Sequence, residues 1–254
     1  MTAAEIFSVR GKVAFVTGAA QGLGRAMAEG LAENGAILWL FDRDEAALHK
    51  AAEQLRRSGA NVTTAVGDVT QAGAVQGAID DLMAHHGRLD ICIANAGISD
   101  ARPGLLHETG DDDWQRVLDV NLNGLFLTCR AALGVMAAQG WGKVITVASM
   151  WGLAAPAGAF PRPAYAASKG AVVNLTREMA LHYAGMGIQV NALCPGIFQT
   201  ETRPRDPAAA IAYTPMGRLG RPEEIKGAVL FLASSASDFV TGTTLVIDGG
   251  VLAR

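Results

Sequence analysis

Residues 12–24 read "KVAFVTGAAQGLG": an apolar, β-favouring run breaks into Gly18, Gly22 and Gly24 just where an amphipathic stretch begins near Leu23. This order predicts a strand, a glycine turn and a helix. Glycines let a ligand approach the backbone closely, and the first N–H groups of a helix lack intrahelical partners and sit at the positive end of its dipole. Together they form an anion site of the kind that holds the pyrophosphate of a dinucleotide, with Gln21 and Leu23 lining the same turn. The spacing departs from G-x-G-x-x-G, and a glycine turn can also serve only to pack a helix on a strand. The rest of the chain has to decide.

Six more apolar runs follow: "AILWLF" (36–41), "NVTTAV" (61–66), "LDICIAN" (89–95), "KVITVAS" (143–149), "IQVNALC" (188–194) and "TTLVID" (243–248). Amphipathic stretches separate them at 23–34, 44–58, 72–86, 112–138, 164–184 and 222–234. Nearly continuous hydrophobic strands are buried on both faces, and their alternation with helices implies parallel pairing through right-handed crossovers. The expected fold is therefore α/β, a doubly wound three-layer sandwich around a seven-stranded parallel sheet. No low-complexity linker divides residues 1–254, so a single domain is expected. Only 201–216, "ETRPRDPAAAIAYTPM", breaks the pattern with three prolines, and it reads as a mobile loop over a site.

Composition narrows the function. Half of the 254 residues are hydrophobic, 18 % are charged and the formal charge is −3, so there is no basic surplus to neutralise a nucleic acid. The start "MTAAEIFSVRGK" has no basic segment leading into an apolar core, and no uncharged apolar run reaches the ~18 residues of a membrane span. The expectation is a cytoplasmic protein with neither a membrane nor a nucleic-acid partner. Cys92, Cys129 and Cys194 are isolated from one another and from His at ligand spacing, and read as buried small hydrophobes. The five His residues read as structural or solvated, and no metal site is expected.

The second strand ends at Asp42, 18 residues beyond Gly24. A carboxylate there can accept hydrogen bonds from the hydroxyls of an adenosine ribose, while Asp44 is available to cap the next helix. Asp42 should repel a 2'-phosphate, which favours NAD over NADP. Arg43 opposes that reading, because a guanidinium beside the ribose can clamp a phosphate.

With "TGAAQGLG", "ANAG" (94–97), "VNLNG" (120–124), Ser149, "YAASK" (165–169) and "PG" (195–196) in this order, the chain resembles the short-chain dehydrogenase/reductases from about residue 10 to residue 250. The resemblance implies a Rossmann fold with NAD(P) across the carboxyl ends of the strands. It implies that Asp68 and Val69 contact the adenine, and that Asn95, Ala96 and Gly97 line the adenosine ribose. It also places Pro195, Gly196, Ile197 and Thr200 at the nicotinamide. Asp68 has a plainer alternative, capping the helix that follows. Two positions depart from the family pattern: Ala94 precedes Asn95 where a second Asn is usual, and Gln21 stands where NADP-preferring relatives often carry Arg or Lys. The second departure also favours NAD.

A Tyr with an ordinary pKa of about 10 is a poor base near neutral pH. Residues i and i+4 share a helix face, so Lys169 brings a positive charge near the Tyr165 phenol, and an oxidised nicotinamide would add another. Chemistry and resemblance jointly imply that Tyr165 exchanges the hydroxyl proton while hydride passes between an alcohol or ketone and the nicotinamide. Ser149 would donate to the substrate oxygen, as an oxyanion donor does. Lys169 would also bind the nicotinamide ribose, and Asn121 would hold a water linking Lys169 to solvent.

The alternatives are an NADP-dependent 3-oxoacyl thioester reductase and a dinucleotide-binding module without catalysis. A polyol, a sugar or another small carbonyl compound is the expected substrate. Its pocket wall is sought among Trp151, Leu153, Phe160, Pro161, Phe198, Ile211, Tyr213 and Met216, with Arg162, Arg203 and Arg205 as candidates for an anionic or polyhydroxylated group. Ser149 and Tyr165 stand 16 residues apart, further than the family usually places them, which locates an insertion near "AGAFPRP" (157–163). Relatives imply a homotetramer built through 112–138, 164–184 and the C-terminal strand region.

Overall fold

The computed structural model describes residues 2–155, 161–201 and 207–253, beginning with a single-turn helix, α1 (Ala3–Ile6). Seven strands form one sheet: β1 Val13–Thr17, β2 Ile37–Asp42, β3 Val62–Val66, β4 Ile91–Ala94, β5 Gly142–Val147, β6 Ile188–Pro195 and β7 Thr244–Ile247. Every pairing is parallel, and the order is β3-β2-β1-β4-β5-β6-β7. The apolar runs dictate this arrangement. In β1, Val13 and Phe15 enter one core while Ala14 and Val16 enter the other. A strand buried on both faces needs helices above and below it.

The first core packs the sheet against α4 (Ala72–His86), α6 (Gly124–Gln139) and α7 (Pro163–Tyr183) through residues such as Ile79, Leu125 and Val172. The second packs it against α2 (Gly22–Glu33), α3 (Glu45–Arg57) and α9 (Lys226–Ala233) through Leu31, Leu48 and Val229. The strand order reverses between β1 and β4, and open α/β sheets bind ligands at the carboxyl ends of such a pair. All three cysteines are free thiols in the interior.

Three segments depart from their expected form. The stretch expected as one helix over 112–138 is α5 (Asp111–Leu118) running into α6 through a π turn, Asp119–Asn123, where the Gly124 N–H donates to the Asp119 carbonyl five residues back. Such one-residue insertions put a side chain off the regular helical register. The helical stretch near 222–234 opens as a 3₁₀ turn, Pro222–Ile225, before α9. Within the expected loop, Ala208–Tyr213 is a short helix, α8; residues 202–206, including Arg203 and Arg205, lie outside the described residues, as does Phe160. The whole Asp111–Gln139 helix is long and apolar enough to cross a membrane by length and composition, and 50 % of its most apolar window is buried within this fold.

Candidate active site

A cavity of about 570 Å³ opens at the carboxyl ends of the central strands. Each site residue expected from the sequence lines it, with the exception of Asn121.

At its floor, the glycine turn and the loop after β4 approach each other too closely for side chains. Gly18 has φ +64°, and a Cβ there would fall 2.8 Å from the Ala96 Cα; a Cβ on Gly24 would fall 2.0 Å from the Gly18 carbonyl oxygen. Asn95 locks the approach, its side-chain amide donating to the carbonyls of Thr17 (2.9 Å) and Gly18 (3.1 Å) while its own N–H donates to Thr17 Oγ1. Asn95 therefore braces the turn as well as lining the cavity. Gln21 starts α2 without any side-chain cap, so the first N–H groups of the helix face the cavity as an anion site. The Gly22 N–H donates to the Glu201 carboxylate at 3.3 Å.

The β2 and β3 end is acidic. Asp42 accepts from the Ala20 N–H (3.0 Å) and the Asp44 N–H (3.1 Å), which fixes its carboxylate beside the turn. Asp44 caps α3 through the Ala47 N–H. Asp68 accepts from the Thr70 N–H in a local turn, and Gln71 takes the N-cap position of α4, so Asp68 is not the cap of that helix. The largely exposed Arg43 guanidinium lies 3.9 Å from Asp68.

At the opposite end stand Ser149, Tyr165 and Lys169. Ser149 is buried at the end of the β5 segment, and its hydroxyl oxygen accepts from the Trp151 N–H at 3.2 Å. Lys169 is buried one helical turn after Tyr165; its Nζ lies 5.7 Å from the Tyr165 ring centroid and donates to the Val147 carbonyl at 2.7 Å. Burial pushes its pKa down to about 8, with Cys194 acting in the opposite direction. The segment after Ser149 rests directly on this helix, because a Cβ on Gly152 would come within 2.5 Å of the Lys169 carbonyl oxygen. That contact fixes Ser149 relative to α7 whatever the length of the spacer between them.

Asn121 lies on the π turn, buried behind the cavity. Its amide oxygen accepts from the Ile98 N–H (2.7 Å), and its nitrogen donates to the Ile98 carbonyl (2.9 Å) and Ser168 Oγ (3.0 Å). The amide thus braces the β4 loop against α7.

Sequence reasoning missed Asp100. Arg162 is the N-cap residue of α7 and makes no side-chain cap bond, with Pro163 at the first turn. The buried carboxylate of Asp100 supplies the cap from across the loop: Oδ1 accepts from the Ala164 N–H (3.1 Å) and Oδ2 from the Tyr165 N–H (3.0 Å). A helix start without a local capping residue was the available signal. Of the expected wall residues, Trp151 and Phe198 line the cavity, and Tyr213 packs edge-on against Trp151 at 5.6 Å between ring centroids. Leu153 and Met216 are exposed instead.

The comparisons agree with this geometry. Residues 18–252 match the family model described as enoyl-(acyl carrier protein) reductase. A cis-4-hydroxycyclohexanecarboxylate dehydrogenase of Sinomonas cyclohexanicum is 41 % identical over 246 residues, 95 % of this chain and 97 % of that one. The crystal structure of a short-chain dehydrogenase/reductase from Mycobacterium marinum superposes with a TM-score of 0.92 at 37 % identity, covering 98 % and 99 % of the two chains. The chain belongs to the short-chain dehydrogenase/reductase family. Another member, a gluconate 5-dehydrogenase from Burkholderia cenocepacia solved in complex with NADP and tartrate, has a TM-score of 0.92 at 39 % identity over 100 % of both chains. The present family member is accordingly an oxidoreductase of the alcohol dehydrogenase/ketone reductase kind.

Proposed function

We propose that the protein interconverts a small secondary alcohol and its ketone using NAD(H). One observation carries the reading: Ser149, Tyr165 and Lys169 line the same cavity as the N-terminus of α2, which its own N-cap residue leaves without a side-chain cap, and an acid at the end of β2. The N–H groups at the start of α2, where an anionic carboxylate already sits on Gly22, suit a pyrophosphate and Asp42 suits a ribose, so the residues present fit a nicotinamide dinucleotide. When bound, it supplies the hydride acceptor or donor. Tyr165 then takes the proton of the carbinol hydroxyl, or returns it to the ketone oxygen. Ser149 donates a hydrogen bond to that oxygen and stabilises charge as it develops. Protonated Lys169 favours the tyrosinate and offers its N–H donors to the ribose beside it.

The substrate class draws on the relatives, which act on a hydroxycycloalkane carboxylate and on gluconate by name. Trp151 and Phe198 supply an apolar wall for a compact molecule. Preference for NAD rests on the anchored Asp42 carboxylate, against which Arg43 and the NADP-bound relative weigh. The exposed Phe126 on α6 supports assembly through that helix, and we propose a homotetramer.

The test is a panel of secondary alcohols with NAD⁺ and NADP⁺ on the wild type and Tyr165→Phe. Turnover of small alcohols that collapses in the variant, with cofactor affinity nearly intact, is expected. Full activity in Tyr165→Phe would sink the assignment, and turnover confined to long 3-oxoacyl thioesters would favour the acyl reductase instead. Dinucleotide binding without turnover of any substrate would indicate a binding module. Asp42→Ala should move the kcat/KM ratio towards NADP.

A further inference from the structure

The carboxylates lining the cavity are confined to one of its ends. The two carboxylates, Asp42 and Asp68, lie with Arg43 at the β2 and β3 end, whereas the charged lining residues beside Ser149 and Tyr165 are both cations, Lys169 and Arg162. Lys169 is committed to the Val147 carbonyl and is buried. Arg162 is half-buried and stands three residues before Tyr165, about one turn along α7.

Its guanidinium is anchored on one side. Nη1 donates to Ser99 Oγ (3.0 Å) and to the Asp100 carbonyl (2.8 Å), and Ser99 itself lines the cavity. The nearby Asp100 carboxylate holds the N–H groups of Ala164 and Tyr165 and makes no direct ion pair with the guanidinium. No carboxylate of the described residues lies within ion-pair distance of Arg162. The Nε and Nη2 edge therefore keeps two parallel donors without a protein acceptor among the described residues. A guanidinium edge of this kind matches a carboxylate in a two-pronged contact.

We infer that Arg162 is a specificity-determining residue that receives the carboxylate of a hydroxy acid whose reacting carbinol lies at Tyr165. The inference rests on the alcohol dehydrogenase reading above and narrows its substrate class: an acid is preferred to the neutral alcohol of the same skeleton. The side chain is pre-positioned by Ser99 and the Asp100 backbone, so less freedom is lost when the anion binds. Trp151, on the segment after Ser149, gives the carbon skeleton an apolar surface.

The test compares each acid with its own amide, 4-hydroxycyclohexanecarboxylate with its carboxamide and gluconate with gluconamide, in the wild type, Arg162→Gln and Arg162→Lys. The wild type should favour at least one acid by tenfold or more in kcat/KM. Arg162→Gln should bring that ratio close to one, chiefly by raising KM for the acid, and Arg162→Lys, which keeps the charge but not the fork, should fall between. The ratio is taken within one protein, so partial loss of folded enzyme does not affect it. Equal use of acid and amide by the wild type, or a ratio unchanged in Arg162→Gln, overturns the inference while leaving the alcohol dehydrogenase reading intact. Failure to turn over any secondary alcohol with either cofactor overturns both.

Discussion

The carboxylate of Asp100 caps the helix that carries Tyr165, although 65 residues separate the two in sequence. One oxygen holds the Ala164 N–H and the other the Tyr165 N–H, so the loop after β4 sets the height and tilt of the first turn of α7. Asp100→Ala leaves both donors without that acceptor, and loss of a helix cap costs about 1 kcal/mol. The larger expected effect is on chemistry, since small displacements of a reacting group reduce rate steeply. Asp100→Ala should lower kcat about tenfold or more with little change in dinucleotide affinity, and Asp100→Asn, which keeps one acceptor, should recover part of it. Steady-state kinetics beside thermal melts check this: a lower Tm with unchanged kcat would reduce Asp100 to a structural brace.

Glu201 holds the Gly22 N–H at the start of α2, where the pyrophosphate of a dinucleotide is expected. A carboxylate at that point gains from the helix dipole but competes with a second anion. Glu201→Gln should therefore tighten NADH binding by roughly two- to fivefold, the equivalent of a fraction of a kcal/mol to 1 kcal/mol. Fluorescence titration reads the change. Weaker binding in the variant would show instead that Glu201 assists the cofactor.

Two glycines give opposite expectations for the same substitution. A methyl on Gly24 would meet the Gly18 carbonyl oxygen at 2.0 Å, and no side-chain rotation relieves a backbone contact. Gly24→Ala should cost about 2 kcal/mol or more and abolish NADH binding. A methyl on Gly227, in α9, meets nothing within 4 Å, so Gly227→Ala should be neutral or stabilise by about 0.5–1 kcal/mol. Melting curves and NADH titration of both variants make the comparison.

The sheet was legible in the sequence because its strands alternate between two cores: Phe15 and Val16 are both buried, on opposite faces, so the run stays apolar throughout. The glycine turn, Asp42 and the Tyr165–Lys169 pair were legible because each depends on local spacing along one element. Asp100 was not, since its partners lie across a loop and only the missing cap at Arg162 and Pro163 hinted at them. The π turn at Asn121 was hidden for a different reason: nothing in "DVNLN" distinguishes it from regular helix, and the register shift is paired with the contacts to Ile98 and Ser168. The short helix α8 was masked by flanking prolines that read as loop.

Lys169 carries a cost to folding that depends on pH. Burial pushes its folded-state pKa down to about 8 from the ordinary 10.5, so the charged form is disfavoured in the folded protein. Below about pH 8 the amine is protonated in both folded and unfolded chains and the full cost is present. Between about 8 and 10.5 the unfolded chain binds more protons, so the contribution of Lys169 to stability improves as pH rises, and above that range the cost is gone. Lys169→Met removes the amine and with it this dependence, at the separate, pH-independent expense of the hydrogen bond to Val147. Measured without cofactor in a Tyr165→Phe background, which removes the one neighbouring phenol whose ionisation Lys169 affects, the Tm of the Lys169 protein minus that of its Lys169→Met counterpart should therefore rise by several degrees between pH 7 and pH 10. A difference that stays constant, or falls, would mean that the buried amine is already neutral at pH 7 or keeps an ordinary affinity for its proton.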